Sequence, residues 1–410
     1  MIDVEQALAI LEQESEALAA VEVDLCGARG AVLAERVVAD RDVPPADCSA
    51  MDGFAVRAAD LPEPDRSLRI VGEVRAGQSP EGTAIEAGQA ARIYTGAMLP
   101  AGADTVVMIE RAREDGAAGT VSFDVAPTPG RHVRGRGQDL GRGETVLCAS
   151  TPLHAPQIAA LASVGHTRVR VHRRPTVYIV STGDEIVEPE RSPEPHQVRN
   201  SNAATLSAQL AEMGLEPRHL GIATDDRERL DEMLARGLAG DLLLVTGGVS
   251  VGAYDRVPQA LEDAGARVLF HRVAIRPGKP MLAARAGNCR ILGLPGNPVS
   301  TYAGFAVFGA PLLRRMMGYR RWKNVEVPVT LGESFRQRPG RVTYHLARIE
   351  LRPEGLVARP VKSTGSGDVL SLARANGFVV APDDARDPGV GTRLPALLWR
   401  DFARFGSGEG

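Results

Sequence analysis

Four short runs of apolar residues organise the central part of the chain. Val, Ile and Leu follow one another almost without interruption in these runs, which occupy residues 176–182, 241–246, 268–275 and 290–294. Between them, apolar residues recur at helical spacing over residues 203–212, 227–236 and 298–316. Strands that are apolar on both faces and alternate with such helices are typical of a parallel sheet covered by helices on both sides. The pattern predicts a doubly wound α/β domain.

The loops that follow the four runs combine glycine or proline with polar side chains. Their sequences are STGDE, GGVSVG, RPGKP and PGNP, beginning at Ser181, Gly247, Arg276 and Pro295. In a doubly wound sheet, ligands bind outside the carboxyl ends of the strands. Glycine lets the backbone approach a ligand closely, and consecutive N–H groups can then bind an anion. An isolated glycine pair is more often a simple turn, but four such loops at one sheet edge favour a phosphate-binding site.

The carboxylates near these loops change the picture from a simple anion site. Asp184, Glu185, Asp225 and Asp255 would repel phosphate unless a cation lay between them. Mg²⁺ is usually held by one or two carboxylates together with phosphate oxygens. The sequence therefore predicts a magnesium-bridged nucleotide or pyrophosphate, with Asp255, Asp184 and Glu185 as metal ligands. Asp226 could equally cap the helix that follows Asp225. The P-loop pattern GxxxxGK[ST] does not occur.

The flanking regions have a different texture. Residues 4–20 predict an amphipathic helix, residues 31–36 a second short helix, and residues 156–163 a third. Residues 41–144 contain short β-like runs with recurring Gly and Pro, which predict a separate β-rich domain. Residues 325–399 alternate between apolar and polar positions, which predicts a small closed β-structure. The Gly-Ser cluster at residues 363–367 could face a ligand there or could be a flexible connection.

Composition excludes several classes of protein. The 410 residues carry a formal net charge of −3, so the chain has no overall attraction to nucleic acid or to an anionic membrane. No run approaches the about 18 apolar residues of a spanning helix, and the N-terminus lacks a basic leader. The 4 cysteines are scattered without a CxxC pair, which argues against structural zinc and disulfides. We therefore predict a cytoplasmic protein.

The loop sequences also carry a family resemblance. STGDE, TGGVSVG, RPGKP and GLPGNPVS, with the upstream SAMDGFA and YTGA, occur in the order found in the bacterial molybdopterin molybdenumtransferase family MoeA. The similarity extends from about residue 5 to about residue 400. It implies an α/β multidomain protein with a MogA-like α/β/α domain at residues 174–323. It further implies an elongated helical and β domain at 1–44 plus 145–173, an inserted β-rich domain at 45–144 and a small β-barrel at 324–404.

The resemblance implies an activity in molybdenum cofactor biosynthesis. The enzyme would insert molybdate into adenylylated molybdopterin, with Mg²⁺-dependent release of AMP. It would act as a homodimer, with a molybdopterin adenylyltransferase and molybdoenzymes as further partners and without nucleic acid or membrane. Two alternatives stay open: a molybdopterin adenylyltransferase that shares only the doubly wound domain, and a non-catalytic scaffold of the gephyrin type. Whether molybdate or tungstate is used is not fixed by the sequence.

The resemblance also assigns residues to roles. The predicted catalytic residues are Asp255, Asp52, Glu185, Asp225 and Asp139. The predicted ligand-binding residues comprise loop positions and nearby donors: Thr95, Ser181, Thr182, Gly183, Asp184, Gly247, Gly248, Ser250, Arg272, Arg276, Lys279, Pro295, Asn297, Pro298, Ser300 and Ser366. An Asp before Gly, as at Asp52, is otherwise ordinary turn chemistry.

Three cations, Arg272, Arg276 and Lys279, suit a tetrahedral dianion such as molybdate. Two positions depart from the family pattern. Arg276 stands where lysine is typical, and Leu346 stands where arginine is typical. Arg348 lies two residues beyond Leu346, on the same face of a predicted strand, and we hypothesise that it substitutes.

Overall fold

The computed structural model describes residues 1–224, 226–250 and 256–399. The chain divides into two compact units. The first comprises Met1–Ala34, Ser150–His154 and Val169–Gly410, and the second comprises Glu35–Ala149 and Ala155–Arg168. The finer division into four domains stays a prediction.

The described residues contain nine α-helices, five of which lie between residues 201 and 316. In order they are α1 Val4–Gln13, α2 Leu25–Ala28, α3 Ala155–Ser163, α4 Ser201–Glu212, α5 Arg227–Gly237, α6 Val257–Asp263, α7 Pro298–Gly304, α8 Ala310–Met316 and α9 Val369–Arg374. A π-helical turn, Phe305–Gly309, joins α7 to α8. None of the helices in the described ranges is long and apolar enough to cross a membrane.

Two predicted N-terminal helices are wrong in extent or place. The predicted helix 4–20 ends at Gln13, because Ser15 Oγ donates to Leu11 O (2.6 Å) and Leu18 N donates to Met316 O (2.7 Å). The predicted helix 31–36 is extended, since Leu33 N donates to Thr151 O (3.0 Å) and Ala34 N to Arg170 O (2.8 Å). A short apolar run does not by itself distinguish helix from strand.

The second unit is built on a mostly antiparallel sheet. The strands up to residue 172 are β1 Ala20–Asp24, β2 Val37–Val38, β3 Cys48–Ser49, β4 Gly53–Val56, β5 Ser67–Val74, β6 Gln89–Ile93, β7 Thr105–Met108, β8 Ala112–Asp115, β9 Thr120–Phe123, β10 Val133–Arg134, β11 Thr145–Leu147 and β12 Arg168–His172. Of these, β1 and all but the first residue of β12 belong to the first unit. Six of them form one sheet in the order β7-β4-β6-β5-β9-β8. Phe54 and Phe123 meet edge to face in its core, with ring centroids 5.8 Å apart.

The first unit contains the predicted doubly wound sheet. Its region holds β13 Val177–Thr182, β14 Ile186–Val187, β15 Val198–Arg199, β16 Arg218–Ala223, β17 Leu242–Thr246, β18 Arg267–His271, β19 Ile275–Arg276, β20 Leu282–Ala286 and β21 Cys289–Leu294. The sheet order is β16-β13-β17-β21-β20-β18. The first four strands pair in parallel, and β20 pairs antiparallel with both β21 and β18.

The predicted third strand, residues 268–275, is two elements. β18 ends at His271, and β19 pairs instead with a strand of the C-terminal barrel. The strands β16 and β20 were not predicted. β16 lies at the sheet edge and has two exposed residues at its start, so it lacks the continuous apolar run of a central strand.

A closed barrel follows the α/β domain within the same unit. Its strands are β22 Val327–Leu331, β23 Val342–Arg352, β24 Gly355–Pro360, β25 Gly377–Ala381 and β26 Arg393–Leu398. The order β23-β24-β22-β26-β25 closes because β25 also pairs with β23. Barrel closure leaves no unpaired edge among these strands. The predicted closed β-structure is confirmed.

Candidate active site

A cleft of about 870 Å³ opens where the parallel strands of the first unit end. Three of the four predicted loops line it. Their lining residues are Ser181, Thr182, Glu185, Gly248, Val249, Ser250, Pro295, Gly296, Asn297 and Pro298. The RPGKP loop contributes only Pro280. The strand-end rule therefore finds the cleft, but one of its four loops mostly lies elsewhere.

A buried hydrogen-bond chain forms part of the cleft wall. Ser181 and Thr246 are register partners on β13 and β17 and are 3% and 2% exposed. Thr246 Oγ1 donates to Ser181 Oγ (3.3 Å), and Ser181 Oγ donates to Asn200 Oδ1 (3.1 Å). Asn200 Oδ1 also accepts from Ala203 N (3.2 Å) and so caps α4. The chain ties two strand ends to the start of α4, and we call these three side chains the cleft network.

Two glycines shape the loop after β17. Gly247 has φ +84° and Gly248 has φ +63°, a region that residues with a Cβ adopt only under strain. A Cβ at Gly247 would lie 2.5 Å from Thr182 O. Gly247 N donates to Leu294 O (3.0 Å), which holds the loop between β13 and β21. This close approach of backbone requires glycine.

The PGNP loop is held from two sides. Asn202 Nδ2 donates to Gly296 O (2.8 Å), and Asn297 Nδ2 donates to Ser366 Oγ (2.9 Å). Val299 N also donates to Ser366 O (3.0 Å). Ser366, predicted from a separate motif, is therefore brought to this loop. Ser300 is buried and does not line the cleft.

The predicted metal ligands are only partly described. Asp255 and Asp225 lie outside the described residues. Glu185 lines the cleft, and its neighbour Asp184 is exposed. Across residues 1–224, 226–250 and 256–399, no group of three or more His, Cys, Asp or Glu is placed to hold a metal. Mg²⁺ bound through phosphate oxygens needs only one or two carboxylates, which Glu185 and Asp184 could supply.

The predicted cations lie away from the cleft lining. Arg276 is half-buried on β19, and burial, followed by the charges of Arg341 and Arg338, lowers its pKa. Arg276 Nη1 donates to Arg338 O (3.4 Å), and Arg341 Nη1 donates to Ile275 O (3.4 Å), so these three arginines lie near one another. Lys279 is exposed; Val273 N donates to its carbonyl (3.1 Å), and Arg272 N donates to Met281 O (2.8 Å). Arg272, Arg276 and Lys279 therefore belong to the segment after β18, in which β19 pairs with β23 of the barrel.

On β23, the departing residue Leu346 and its hypothesised substitute Arg348 have different surroundings. Leu346 is buried in the core shared by the sheet and the barrel. Arg348 is exposed, and its Nε lies 3.6 Å from Glu350 Oε1. A carboxylate next to Arg348 competes with an oxyanion for that guanidinium, so the geometry gives no support to the substitution hypothesis.

The second unit presents the other predicted site residues. Asp52 Oδ1 accepts from both Thr95 N and Thr95 Oγ1, each at 2.7 Å. The bond from the Thr95 N–H, and next the bond from its hydroxyl, lower the pKa of Asp52. Both residues are exposed. Asp139 forms an ion pair with Arg134 instead. The structure thus brings together two residues that were predicted separately, from the SAMDGFA and YTGA segments.

Several cleft residues were not predicted. They lie between the start of β14 and the first turn of α4, and they are Ile186, Pro193, Val198, Arg199, Asn200, Ser201 and Asn202. The sequence VRNSN contained a usable signal, because an Asn directly before a helical pattern is a preferred N-cap. In a doubly wound sheet, helices begin at the carboxyl ends of the strands, where ligands bind, so an N-cap residue there lies near the ligand.

Comparison with known families gives the class of this architecture. The family model "MoeA N-terminal region (domain I and II)" matches residues 2–165. The model "Probable molybdopterin binding domain" matches residues 178–315, which contain the doubly wound sheet and the cleft. The model "MoeA C-terminal region (domain IV)" matches residues 328–399, which contain the barrel.

Individual relatives resemble the chain over most of its length. A molybdopterin molybdenumtransferase of Nostoc sp. is 38% identical over 88% of this chain and 84% of that protein. One of Bacillus subtilis is 35% identical over 90% of this chain and 87% of that protein. A crystal structure of a molybdopterin biosynthesis MoeA protein from Pyrococcus horikoshii superposes with a TM-score of 0.83 at 30% identity, covering 98% of this chain and 100% of that one. The chain belongs to the MoeA family. The predicted family and fold class are confirmed.

Proposed function

We propose that the protein is a molybdopterin molybdenumtransferase of molybdenum cofactor biosynthesis. It takes adenylylated molybdopterin and molybdate and releases AMP in a Mg²⁺-dependent reaction. The observation that carries the proposal is the cleft, in which the STGDE, GGVS and PGNP loops meet at one sheet edge. Loops rich in N–H and hydroxyl donors around a carboxylate suit a phosphate anhydride and its cation.

The residues divide the work by their chemistry. Gly248 and Ser250 present donors to the phosphates from the cleft wall. Glu185, with Asp184 beside it, would hold Mg²⁺, which neutralises phosphate charge when bound. The guanidinium group of Arg276 is suited to a doubly charged oxyanion, since its own pKa is lowered by burial and by neighbouring cations. An anion there relieves the repulsion among those arginines.

The reaction needs no covalent intermediate on the protein. An oxygen nucleophile attacks the adenylyl phosphorus, the anhydride P–O bond breaks, and the molybdopterin phosphate departs with the electron pair while the adenylyl group, now carrying the new oxygen, is released as AMP. The two dithiolene thiols bond to molybdenum, and one molybdate oxygen leaves as water with their two protons. The task of the chain is to align these groups and to keep the phosphates bound, which is catalysis by positioning. The carboxylate of Asp52, held by Thr95, is the proposed group that positions the nucleophile or accepts its proton.

The decisive assay follows AMP. Purified protein is mixed with adenylylated molybdopterin, molybdate and Mg²⁺, and AMP is quantified by chromatography. We expect release that depends on both molybdate and Mg²⁺. Consumption of MgATP with free molybdopterin would instead identify an adenylyltransferase. A protein without either activity, in cells that still mature their molybdoenzymes, would support a scaffold.

We also propose that the protein acts in the cytoplasm as a homodimer, with a molybdopterin adenylyltransferase and molybdoenzymes as partners. Family membership supports this assembly. Light scattering on the purified protein should then give twice the chain mass of 43.5 kDa. A mass of one chain at micromolar concentration would contradict the dimer without affecting the assay of AMP release.

A further inference from the structure

The helix α4 begins at the cleft with hydrogen-bond donors that lack partners among the described residues. Asn200, Ser201 and Asn202 all line the cleft, and Asn200 is 6% exposed. Its Oδ1 is occupied by Ser181 Oγ (3.1 Å) and Ala203 N (3.2 Å). Within the described part of the chain, its amino group has no hydrogen-bond partner. A buried amide with one satisfied end and one open end facing a cleft is prepared for a ligand.

The backbone at the same place adds further donors. α4 has 12 residues, and its first N–H groups cannot bond within the helix. Among the described residues, the N–H groups of Ser201 and Asn202 have no acceptor. Asn202 turns its Nδ2 to Gly296 O (2.8 Å) and buries its Oδ1, so its side chain offers no acceptor to the cleft. The helix dipole places partial positive charge at this end.

A cation flanks these donors. Arg199 precedes the cap and also lines the cleft. Its Nε donates to Pro189 O (2.9 Å) and Arg191 O (3.2 Å), which ties the side chain to the loop before β15. The start of α4 is thus a place of amide and hydroxyl donors beside a guanidinium group. Such a combination selects an anion, and tetrahedral phosphate is the anion that accepts several N–H bonds at once.

We propose that the N-terminus of α4, through the amino group of Asn200 and the N–H groups of Ser201 and Asn202, binds a phosphate of the substrate. This inference rests on the proposed function, since adenylylated molybdopterin carries a pyrophosphate. The glycine loop at Gly248 and the start of α4 would then each bind one of its two phosphates. Asn200 is a binding residue in this assignment, and the cleft network fixes the direction of its amide.

Substitution of Asn200 by Ser tests the assignment. Serine is as good an N-cap as asparagine but removes the amino group without adding charge. We expect the Kd of AMP and of inorganic pyrophosphate, measured by calorimetry on the full-length protein, to rise about ten- to a hundredfold. Asn200→Asp keeps the cap oxygen and adds a negative charge, so it should weaken binding further. The melting temperature of both variants should stay within a few degrees of wild type.

A matched control replaces a cap at another helix. Asp3 caps α1 by accepting from Gln6 N (2.7 Å), and Asp3→Ser should leave both affinities unchanged. Inorganic phosphate, tested alone, separates a simple anion site from one that requires the nucleotide.

Unchanged affinities in Asn200→Ser would overturn the inference, as would equal losses in Asp3→Ser. A loss confined to the binding of the pterin, with AMP and pyrophosphate unaffected, would assign Asn200 to the heterocycle and also overturn it. The proposed function fails separately: wild-type protein could bind pyrophosphate at α4 and still release no AMP from the adenylylated substrate.

Discussion

Two buried polar networks in the first unit have similar chemistry and different ends. The cleft network joins Thr246, Ser181 and Asn200, and it ends in an amino group that has no partner among the residues that the structure describes. The barrel network joins His345, Gln337 and Thr343. His345 Nε2 donates to Gln337 Oε1 (3.0 Å), and Gln337 Nε2 donates to Thr343 Oγ1 (3.0 Å).

The donor chain of the barrel network ends on the protein backbone. Thr343 Oγ1 donates in turn to Arg341 O (3.2 Å), so the last acceptor in this chain of hydrogen bonds is a backbone carbonyl. A buried polar group costs free energy unless it is bonded, so a closed network stabilises the fold and an open one leaves a group for a ligand. The comparison teaches that the open end, rather than burial or polarity, distinguishes a site from a structural core.

The largest expected effect lies outside both networks, at Asp52. Asp52→Asn keeps an oxygen for Thr95 but removes the charge. If the carboxylate positions or deprotonates the nucleophile, turnover should fall about a hundredfold or more. We expect AMP affinity to stay unchanged, since the residues that line the cleft do not include Asp52. The control is Asp65→Asn, an exposed aspartate 3.8 Å from Arg113 in the same unit.

Wild-type turnover in Asp52→Asn would remove Asp52 from the reaction. A parallel loss of AMP affinity would show that the carboxylate acts on binding instead. Either result would contradict the proposal that the cleft residues bind the nucleotide and that Asp52 acts only on turnover.

The next effect concerns the loop that bounds the cleft. Gly247→Ala places a Cβ 2.5 Å from Thr182 O at φ +84°, so we expect a loss of about 3 kcal/mol in the free energy of unfolding and a tenfold or greater loss of AMP affinity. Gly265→Ala is the matched control. Gly265 has φ +81°, and no atom lies within 4 Å of the place that the added methyl carbon would take, so only the strain of about 1 kcal/mol applies. Equal effects in the two variants, measured by urea unfolding and calorimetry, would contradict the close-approach account.

His345 in the barrel network should make the stability of the fold depend on pH. Burial, with the charge of Arg276, lowers the pKa of His345 to about 4. The unfolded chain keeps the ordinary value of about 6.5, so it takes up the proton first as pH falls. The contribution of neutral His345 to the free energy of unfolding is therefore fully present above about pH 6.5. It decreases as the pH falls from about 6.5 to about 4, and the loss at pH 5 is about 2 kcal/mol.

Urea unfolding at pH 7 and pH 5 checks the sign and the size. His345→Gln cannot take up this proton, so its difference between the two pH values should be smaller by about 2 kcal/mol. An equal difference in wild type and variant would show that other groups cause the acid sensitivity.

The smallest effect compares one hydroxyl from each network. Ser181→Ala and Thr343→Val each remove a buried hydroxyl and should each cost about 1–2 kcal/mol of stability. Only Ser181→Ala should also weaken AMP binding, by about threefold to tenfold, because Asn200 loses one of the two bonds that direct its amide. Reduced AMP affinity in Thr343→Val, by calorimetry, would contradict the distinction between the networks.

The sequence predicted the parts that follow from periodicity and missed those that depend on tertiary pairing. Central strands such as β17 are apolar up to their last residue, so their pattern alone reveals them. β16 at the sheet edge and β20, which runs antiparallel, carry no comparable signal. The turn at Arg276 was placed at the sheet because residues 268–275 were predicted as one strand, although His271 and Arg272 interrupt its apolar positions, whereas Ile275 pairs with the barrel.

The site shows the same division. Strand-end loops and their glycines were predictable because the topology fixes where they meet. Asn200 was missed because its importance comes from a satisfied oxygen and an unpaired nitrogen, which only the folded geometry reveals. The roles of the individual site residues stay predictions.

The central claim is that the cleft of the first unit binds the nucleotide end of the substrate. The most direct test is a crystal structure of the protein with AMP and molybdate. The account predicts the AMP phosphate in the cleft, bonded to the loop at Gly248 and Ser250 and to the start of α4. Nucleotide density at any other surface of the chain, with the cleft containing only water, would contradict it.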